Sequence, residues 1–211
     1  ECAGVASVFT DFSLPINGTL TNWNWDFGDG ATATTNNANH AYNTKGTYSV
    51  TLIATNSYGC SDTVVKNVNA FESPVADFDY TLTCTDNDFF VAFTDQSTYD
   101  QNPINFWFYD YGGQGSAAVK DPTKYFFTPG DYTITHIVRN IPGCSDTIQK
   151  TITIPHKPKA GFYYNTSNGL NIGATFNFID TSFYADSWFW TFGDGKTSTS
   201  TNTSNVYMAN G

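Results

Sequence analysis

Along Thr47-Tyr48-Ser49-Val50-Thr51-Leu52-Ile53-Ala54 the apolar side chains at 48, 50, 52 and 54 alternate with small or polar ones. A period of two sends successive side chains to opposite faces, so this segment predicts a strand with one buried face. Tyr132, Ile134, His136 and Val138 repeat the alternation, and shorter versions run through residues 89–94, 147–154 and 175–179. Trp23, Trp25 and Phe27 share one face, as do Trp107, Tyr109 and Tyr111, and then Trp188, Trp190 and Phe192. All five tryptophans fall on this one strand type, and aromatics so placed predict core. No segment carries the period of an amphipathic helix. Six or seven short strands with turns between them predict a two-sheet β-sandwich.

The pattern is periodic on a longer scale. Trp25-Asp26-Phe27-Gly28-Asp29-Gly30 returns as Tyr109-Asp110-Tyr111-Gly112-Gly113-Gln114 and as Trp190-Thr191-Phe192-Gly193-Asp194-Gly195. Trp25, Tyr42, Gly46, Tyr48 and Cys60 map onto Tyr109, Phe126, Gly130, Tyr132 and Cys144 at a constant offset of 84 residues. Phe9-Thr10-Asp11 meets Phe93-Thr94-Asp95 at the same offset, with Phe178-Ile179-Asp180 as the third copy. A fixed period of this size means a tandem array. It divides the chain into 1–70, 71–155 and 156–211.

Repeat two is complete. Repeat one lacks the segment matching residues 75–83, and repeat three stops at Gly211, the counterpart of Gly46 and Gly130, without the equivalent of 131–154. Sandwich faces would be left without partners at both ends. The expectation is that the polypeptide continues; the alternative is a strand donated by a neighbouring subunit. Pro74 and Pro158 stand at matching positions between repeats and predict short, semi-rigid linkers.

Composition narrows the class further. Aromatics reach 17% and charged residues only 13%, which suits β structure. Nine basic against nineteen acidic residues give a net charge of −10. Nucleic acid needs a basic face, and so does an anionic membrane surface, so both are excluded as partners. No apolar run is long enough to span a bilayer, which excludes direct membrane insertion.

Cys2 and Cys84 precede the second strand of their repeats, and Cys60 and Cys144 lie in two copies of Gly-Cys-Ser-Asp-Thr. Four cysteines allow three pairings. The repeat favours Cys2–Cys60 and Cys84–Cys144, which would give each repeat its own staple; four unpaired thiols are the alternative. Without a C-x₂-C pair, zinc fits less well. Disulfides would imply an oxidising, extracellular setting.

Trp-Asp-Phe-Gly-Asp-Gly, followed by Asn39-His40-Ala41-Tyr42 and Gly46-Thr47-Tyr48-Ser49-Val50-Thr51-Leu52, resembles the PKD (polycystic-kidney-disease-type) domain. The resemblance runs through the whole chain and is weakest in repeat two, where Gly113 and Gln114 replace the Asp-Gly of the turn. It implies an all-β chain of tandem immunoglobulin-like sandwiches, the first and third incomplete. Gly46-Thr47-Tyr48 also resembles a tyrosine corner, with Tyr48 and Tyr132 tying their strand to the preceding loop. The core motif is then Trp25, Phe27, Tyr48, Tyr109, Tyr132, Trp190 and Phe192. The Gly-Cys-Ser-Asp-Thr ending is similar to that of PKD arrays in large surface proteins of gliding Bacteroidota exported by the type IX secretion system.

Candidate chemistry is sparse. His40 stands where Lys124 and Asn205 stand in the other repeats, His136 replaces Leu52 on an apolar strand face, and His156 lies in a linker. No serine or cysteine has a base at recognisable spacing, and no pair of acids is placed for glycoside hydrolysis, so no catalytic residue is expected. Calcium is the best metal candidate, since some PKD-like domains bind it. Asp26 and Asp29 would be its first ligands, though the ion takes six to eight oxygens and turn chemistry explains Asp29 equally well. Asp62-Thr63-Val64 and Asp146-Thr147-Ile148 match the short O-glycosylation motif of Bacteroidota surface proteins, making Thr63 and Thr147 candidate acceptors. Phe108 and Phe189 alternate with the core aromatics, but Asn24 at the equivalent place argues against a repeated sugar site.

The resemblance implies a non-catalytic stalk or filament segment of a bacterial cell-surface adhesin, serving attachment or gliding. Its partners would be neighbouring repeats of the same chain and a surface glycan or protein. The alternative is a set of accessory PKD modules beside the catalytic domain of a secreted polysaccharide- or protein-degrading enzyme.

Overall fold

The computed structural model describes residues 1–85, 88–167, 169 and 171–208; Gly211 lies outside them. Every regular element among the described residues is a strand. The chain forms two compact units, Glu1–Ile152 with repeats one and two, and Thr153–Gly211 with repeat three.

Repeat one comprises β1 (Ser7–Phe9), β2 (Leu20–Asp26), β3 (Thr32–Ala33), β4 (Ala38–His40), β5 (Gly46–Asn56) and β6 (Ser61–Ala70). One sheet has the order β3-β2-β5-β6 and the other is the pair β1-β4. Repeat two comprises β7 (Phe78–Cys84), β8 (Phe89–Asp95), β9 (Ile104–Asp110), β10 (Ser116–Ala117), β11 (Thr123–Phe126), β12 (Gly130–Asn140) and β13 (Ser145–Ile154). Its sheets are β10-β9-β12-β13 and β11-β8-β7. The two repeats share one plan over the residues they have in common; at the offset of 84 the place of β7 falls ahead of Glu1.

The alternation along β5 does what it predicts: Val50, Leu52 and Ala54 are buried, in register with β2 on one side and β6 on the other. Val50 and Leu52 close a core with Trp25, Phe27, Ala38, Tyr42 and Ala70. Hydrogen bonds then orient the aromatics. Trp25 Nε1 donates to the Thr35 carbonyl at 3.0 Å, and the Tyr109 hydroxyl replaces it in repeat two by donating to the Lys120 carbonyl at 3.3 Å. Tyr48 and Tyr132 donate to the carbonyls of Thr44 and Thr128, both at 2.9 Å, as a tyrosine corner requires. Tyr42 donates to the Phe27 carbonyl at 3.1 Å.

Gly28 shows why the motif keeps glycine. Its φ is +78°, and a Cβ there would meet the Ser49 carbonyl oxygen at 2.8 Å, because the turn lies against β5. Gly112 meets the Thr133 carbonyl oxygen of β12 in the same way.

Repeat three comprises β14 (Phe162–Thr166), β15 (Thr175–Asp180), β16 (Trp190–Thr191), β17 (Thr197–Ser198) and β18 (Thr203–Val206), in sheets β14-β15-β18 and β16-β17. Trp190 Nε1 donates to the Ser200 carbonyl at 2.8 Å and Tyr207 to the Phe192 carbonyl at 3.0 Å, matching repeat one. The expected buried core differs here: Trp188, Trp190 and Phe192 are only half-buried, and both faces of β15 are partly open. No described strand takes the place of β5 or β12. For the same reason a Cβ on Gly193 would meet nothing within 4 Å.

Candidate functional site

Repeats one and two meet at a junction made by backbone, side-chain and covalent contacts. The chain enters beside the end of β6: the Glu1 amino group donates to the Asn69 carbonyl at 2.8 Å, and Cys2 bridges Phe71 in parallel register. From repeat two the β12–β13 hairpin arrives at the same place. Asn140 is buried at its turn; its Oδ1 accepts the Cys144 N–H at 2.9 Å and its Nδ2 donates to the Glu72 carbonyl at 2.9 Å. Across the junction Lys45 of repeat one pairs with Asp100 of repeat two. The hydrogen bond to Asp100 pushes the Lys45 ammonium above its ordinary range, although the pair is open to solvent and adds little stability.

The covalent link is Cys2–Cys144, with Cα atoms 5.5 Å apart and a sequence separation of 142. Cys60 and Cys84 are free and exposed. The expected pairs Cys2–Cys60 and Cys84–Cys144 are therefore not formed, and strand length gives the reason. Cys60 precedes the ten residues of β6 and Cys2 sits beyond their far end, so about 30 Å separates them. A disulfide tolerates no more than ~7 Å between Cα atoms. Cys84 is likewise at the far end of β7, whereas Cys144 lies near the Ala76 end, where Asp146 accepts the Ala76 N–H at 2.8 Å. The one staple joins repeat one to repeat two, not a repeat to itself.

Sequence reasoning missed this junction because its polar members, Lys45, Asp100 and Glu72, are not part of the repeated motif. Asn140 did leave a signal. Its counterpart Asn56 caps the β5–β6 hairpin through the same bond, accepting the Cys60 N–H at 3.0 Å, and also accepts that of Tyr58 at 3.0 Å, where repeat two has Pro142.

The two calcium candidates are engaged locally. Asp26 accepts the Gly28 N–H at 2.9 Å, and Asp29 accepts the Ala31 N–H at 3.1 Å while its other oxygen meets His40 Nε2 at 2.8 Å. Burial opposes charge on Asp29, but the bonds from Ala31 and His40 outweigh it and lower its pKa. The His40 ring also stacks on Phe27 at 4.2 Å. Among the described residues no group of three or more His, Cys, Asp or Glu side chains could hold a metal ion.

His136 is fully buried, stacked on Tyr109 at 4.0 Å, with Nδ1 donating to the Phe108 carbonyl and Nε2 3.3 Å from both Asp95 and Ser97. Asp95 accepts Trp107 Nε1 at 2.8 Å, just as Asp11 accepts Trp23 Nε1 at 2.6 Å. Burial opposes the Asp95 charge, yet hydrogen bonds from Ser97, Trp107 and His136 prevail and hold its carboxyl below the ordinary value. This constellation is a structural knot in a closed core, without an open face for substrate. Thr63 and Thr147, the candidate glycan acceptors, are both exposed near the starts of β6 and β13.

The architecture is that of tandem immunoglobulin-like sandwich modules. The chain belongs to the PKD domain family, whose model matches residues 2–70 and 71–156. Among solved structures, it is similar to the PKD1 domain of the Vibrio cholerae metalloprotease PrtV, at 27% identity over 40% of this chain and 99% of that one, with a TM-score of 0.35. The PKD1 domain of Vibrio anguillarum Epp matches at 20% identity over 39% of this chain and 93% of that one, with a TM-score of 0.34. The fibronectin(III)-like modules of Clostridium thermocellum CbhA match at 16% identity over 72% and 86%, with a TM-score of 0.41. Among the described residues no helix is long and apolar enough to cross a membrane.

Proposed function

We propose that this chain is a load-bearing, non-catalytic segment of an extracellular repeat array, the stalk or filament of a bacterial cell-surface adhesin. The gliding-Bacteroidota setting and type IX export belong to the same proposal and rest on the Gly-Cys-Ser-Asp-Thr hairpins. The observation that carries the stalk reading is the position of the Cys2–Cys144 bond. Tension applied along the chain passes from Cys2 to Cys144 through one covalent bridge, so it bypasses repeat one and all of repeat two ahead of β13. A disulfide inside each repeat, from Cys2 to Cys60, would protect each module but leave their junction to non-covalent contacts. Such a bond is retained in an oxidising compartment, in keeping with an extracellular location.

Single-molecule pulling between the two ends of the chain tests this. Under oxidising conditions, extension from within residues 2–144 should be absent. Reduction should add about 500 Å of contour, at roughly 3.5 Å per residue over the 142-residue separation. Full extension of repeats one and two without reductant would refute the load-bearing reading.

A further inference from the structure

We infer that the buried His136 is an imidazolium, protonated on both ring nitrogens, whose charge compensates the Asp95 carboxylate inside repeat two and makes the fold of this repeat sensitive to pH. The inference is independent of the stalk reading, and the hydrogen-bond inventory carries it. A neutral imidazole has one N–H and one lone pair, so one of its nitrogens needs a donor opposite. Nδ1 faces the Phe108 carbonyl oxygen at 3.2 Å, and Nε2 faces Asp95 Oδ1 at 3.3 Å. A carbonyl and a carboxylate can only accept. Turning the ring over would set carbon atoms against both oxygens. The remaining neighbour, Ser97 Oγ, lies 3.3 Å from Nε2 and has a single proton. That oxygen takes the Asp77 N–H at 3.0 Å and returns its proton to the Asp77 carbonyl at 3.1 Å, so it turns a lone pair toward the ring.

Charge balance points the same way. The His136 side chain is 0% exposed and that of Asp95 4%, and a carboxylate so deep needs a counter-charge close by. Among the described residues His136 is the one ion-pair partner of Asp95. The other charged groups around the pair do not replace it. Asp121 accepts the Asp95 N–H at 2.8 Å and adds negative charge, as does Asp77 ahead of β7. The Lys150 ammonium of β13 is taken up by Asp77 at 2.6 Å. From β9, Trp107 Nε1 donates to the second Asp95 oxygen at 2.8 Å, and the Tyr109 ring stacks on His136 at 4.0 Å. An aromatic face in that position favours a cation. β7 contributes only the edge-on ring of Phe78, 5.8 Å away.

Repeat one has the acid without the clasp. Asp11, the counterpart of Asp95, accepts the Ser13 N–H at 2.8 Å and Trp23 Nε1 at 2.6 Å, while Leu52 stands where His136 would be. The pH response therefore belongs to repeat two. Removing the second proton from His136 leaves the Asp95 charge buried without compensation, which is costly. The pair supports the folded state at pH values where histidine holds both protons, and that support is lost as pH rises and the second one leaves.

The experiment uses the whole chain with isotope-labelled histidine. Nuclear magnetic resonance (NMR) spectra of the ring nitrogens near neutral pH should show a proton on each nitrogen of His136, both slow to exchange with water, and Asp95→Asn should leave only one. The signals are assigned by their loss in His136→Leu. A single ring proton in the native chain would overturn the proposal, whatever the variants do. Urea unfolding supplies a second reading. Raising the pH from about 6 to about 9, on either side of the ordinary histidine value, should lower the urea midpoint of the Glu1–Ile152 unit. His136→Leu, which installs the residue of repeat one, should remove most of that shift. An equal shift in the native chain and in this variant would refute the pH clasp.

Discussion

Repeats one and two carry the same strands, the same tyrosine corner and the same glycine packed against the next strand, yet one sheet edge is closed and the other open. In repeat two β7 covers the edge, and Phe78, Val91, Phe93 and Tyr109 are all 2% exposed or less. In repeat one the counterpart of β8 shrinks from seven residues to three, and Val8 beside it is 70% exposed. The contrast separates two roles of the motif. Trp25, Phe27 and Tyr42 hold the fold together from within, and they do so with or without the edge strand. That strand instead decides whether the neighbouring surface is buried.

The largest lever on this comparison is the bond that couples the two repeats. Cys144→Ser should destabilise the Glu1–Ile152 unit by about 5 kcal/mol, the chain-entropy value for a loop of this length. Urea unfolding under non-reducing conditions should move to lower concentration. Brief alkylation of the folded native chain without reductant should label Cys60 and Cys84 and spare Cys2 and Cys144. Labelling of all four would contradict the pairing.

Opening repeat two should make it resemble repeat one. Phe78 is fully buried and packs against Phe93, Tyr109 and His136. Phe78→Ala should cost about 3–5 kcal/mol of stability, the usual penalty for removing a buried phenylalanine. Repeat one should unfold at an unchanged denaturant concentration, read from separate probes in the two repeats. An equal loss in both would mean that they fold as one cooperative block.

A smaller effect tests a mismatch inside repeat two. Tyr111 stands where repeats one and three have Phe27 and Phe192, and its hydroxyl is buried without a hydrogen-bond partner. Burial pushes its phenol up to about 12. Tyr111→Phe should therefore stabilise repeat two by about 1 kcal/mol, since it removes a desolvated, unpaired polar atom. A loss of stability would mean that the hydroxyl has a partner such as an ordered water.

What could be read from the sequence follows from the range of each interaction. Period-two alternation fixes which face of a strand is buried, so Val50, Leu52, Ile134 and Val138 were legible one by one. The repeat offset identified Tyr48 with Tyr132 and Trp25 with Tyr109, because local turns and corners recur wherever their residues do. Cysteine pairing was not legible. Equivalence says that Cys60 and Cys144 occupy the same place in their repeats, but it is silent on which repeat supplies the partner. That depends on how one module docks on the next, through Lys45, Asp100 and Glu72, which occur once. Half-burial of Trp190 was hidden for a related reason: the motif fixes the aromatic, and a distant strand buries it.

The faintest difference among the repeats lies in the second acid of the turn, and pH can resolve it. Repeat one pairs Asp29 with His40; repeat three pairs Asp194 with Asn205 at 2.9 Å and with Lys196 at 3.1 Å; repeat two has Gln114 near that place and no acid. The Asn205 hydrogen bond, aided by Lys196, holds the Asp194 carboxyl down to about 2 against an ordinary value of 3.8. A depressed carboxyl favours the folded state wherever it is ionised there. Its contribution is therefore complete above pH 3.8 and drains away as pH falls toward 2. Asp194 lies at the solvent-exposed tip of the turn, so the effect on global stability should be slight and is better followed at the carboxyl itself. NMR titration should place the Asp194 midpoint near 2 in the native chain and move it toward 3.8 in Asn205→Ala. Asp194→Asn should flatten the acid limb of repeat three between those pH values and leave repeat two unchanged. An unmoved midpoint in Asn205→Ala would assign the depression to Lys196, and Lys196→Ala would then have to produce the shift.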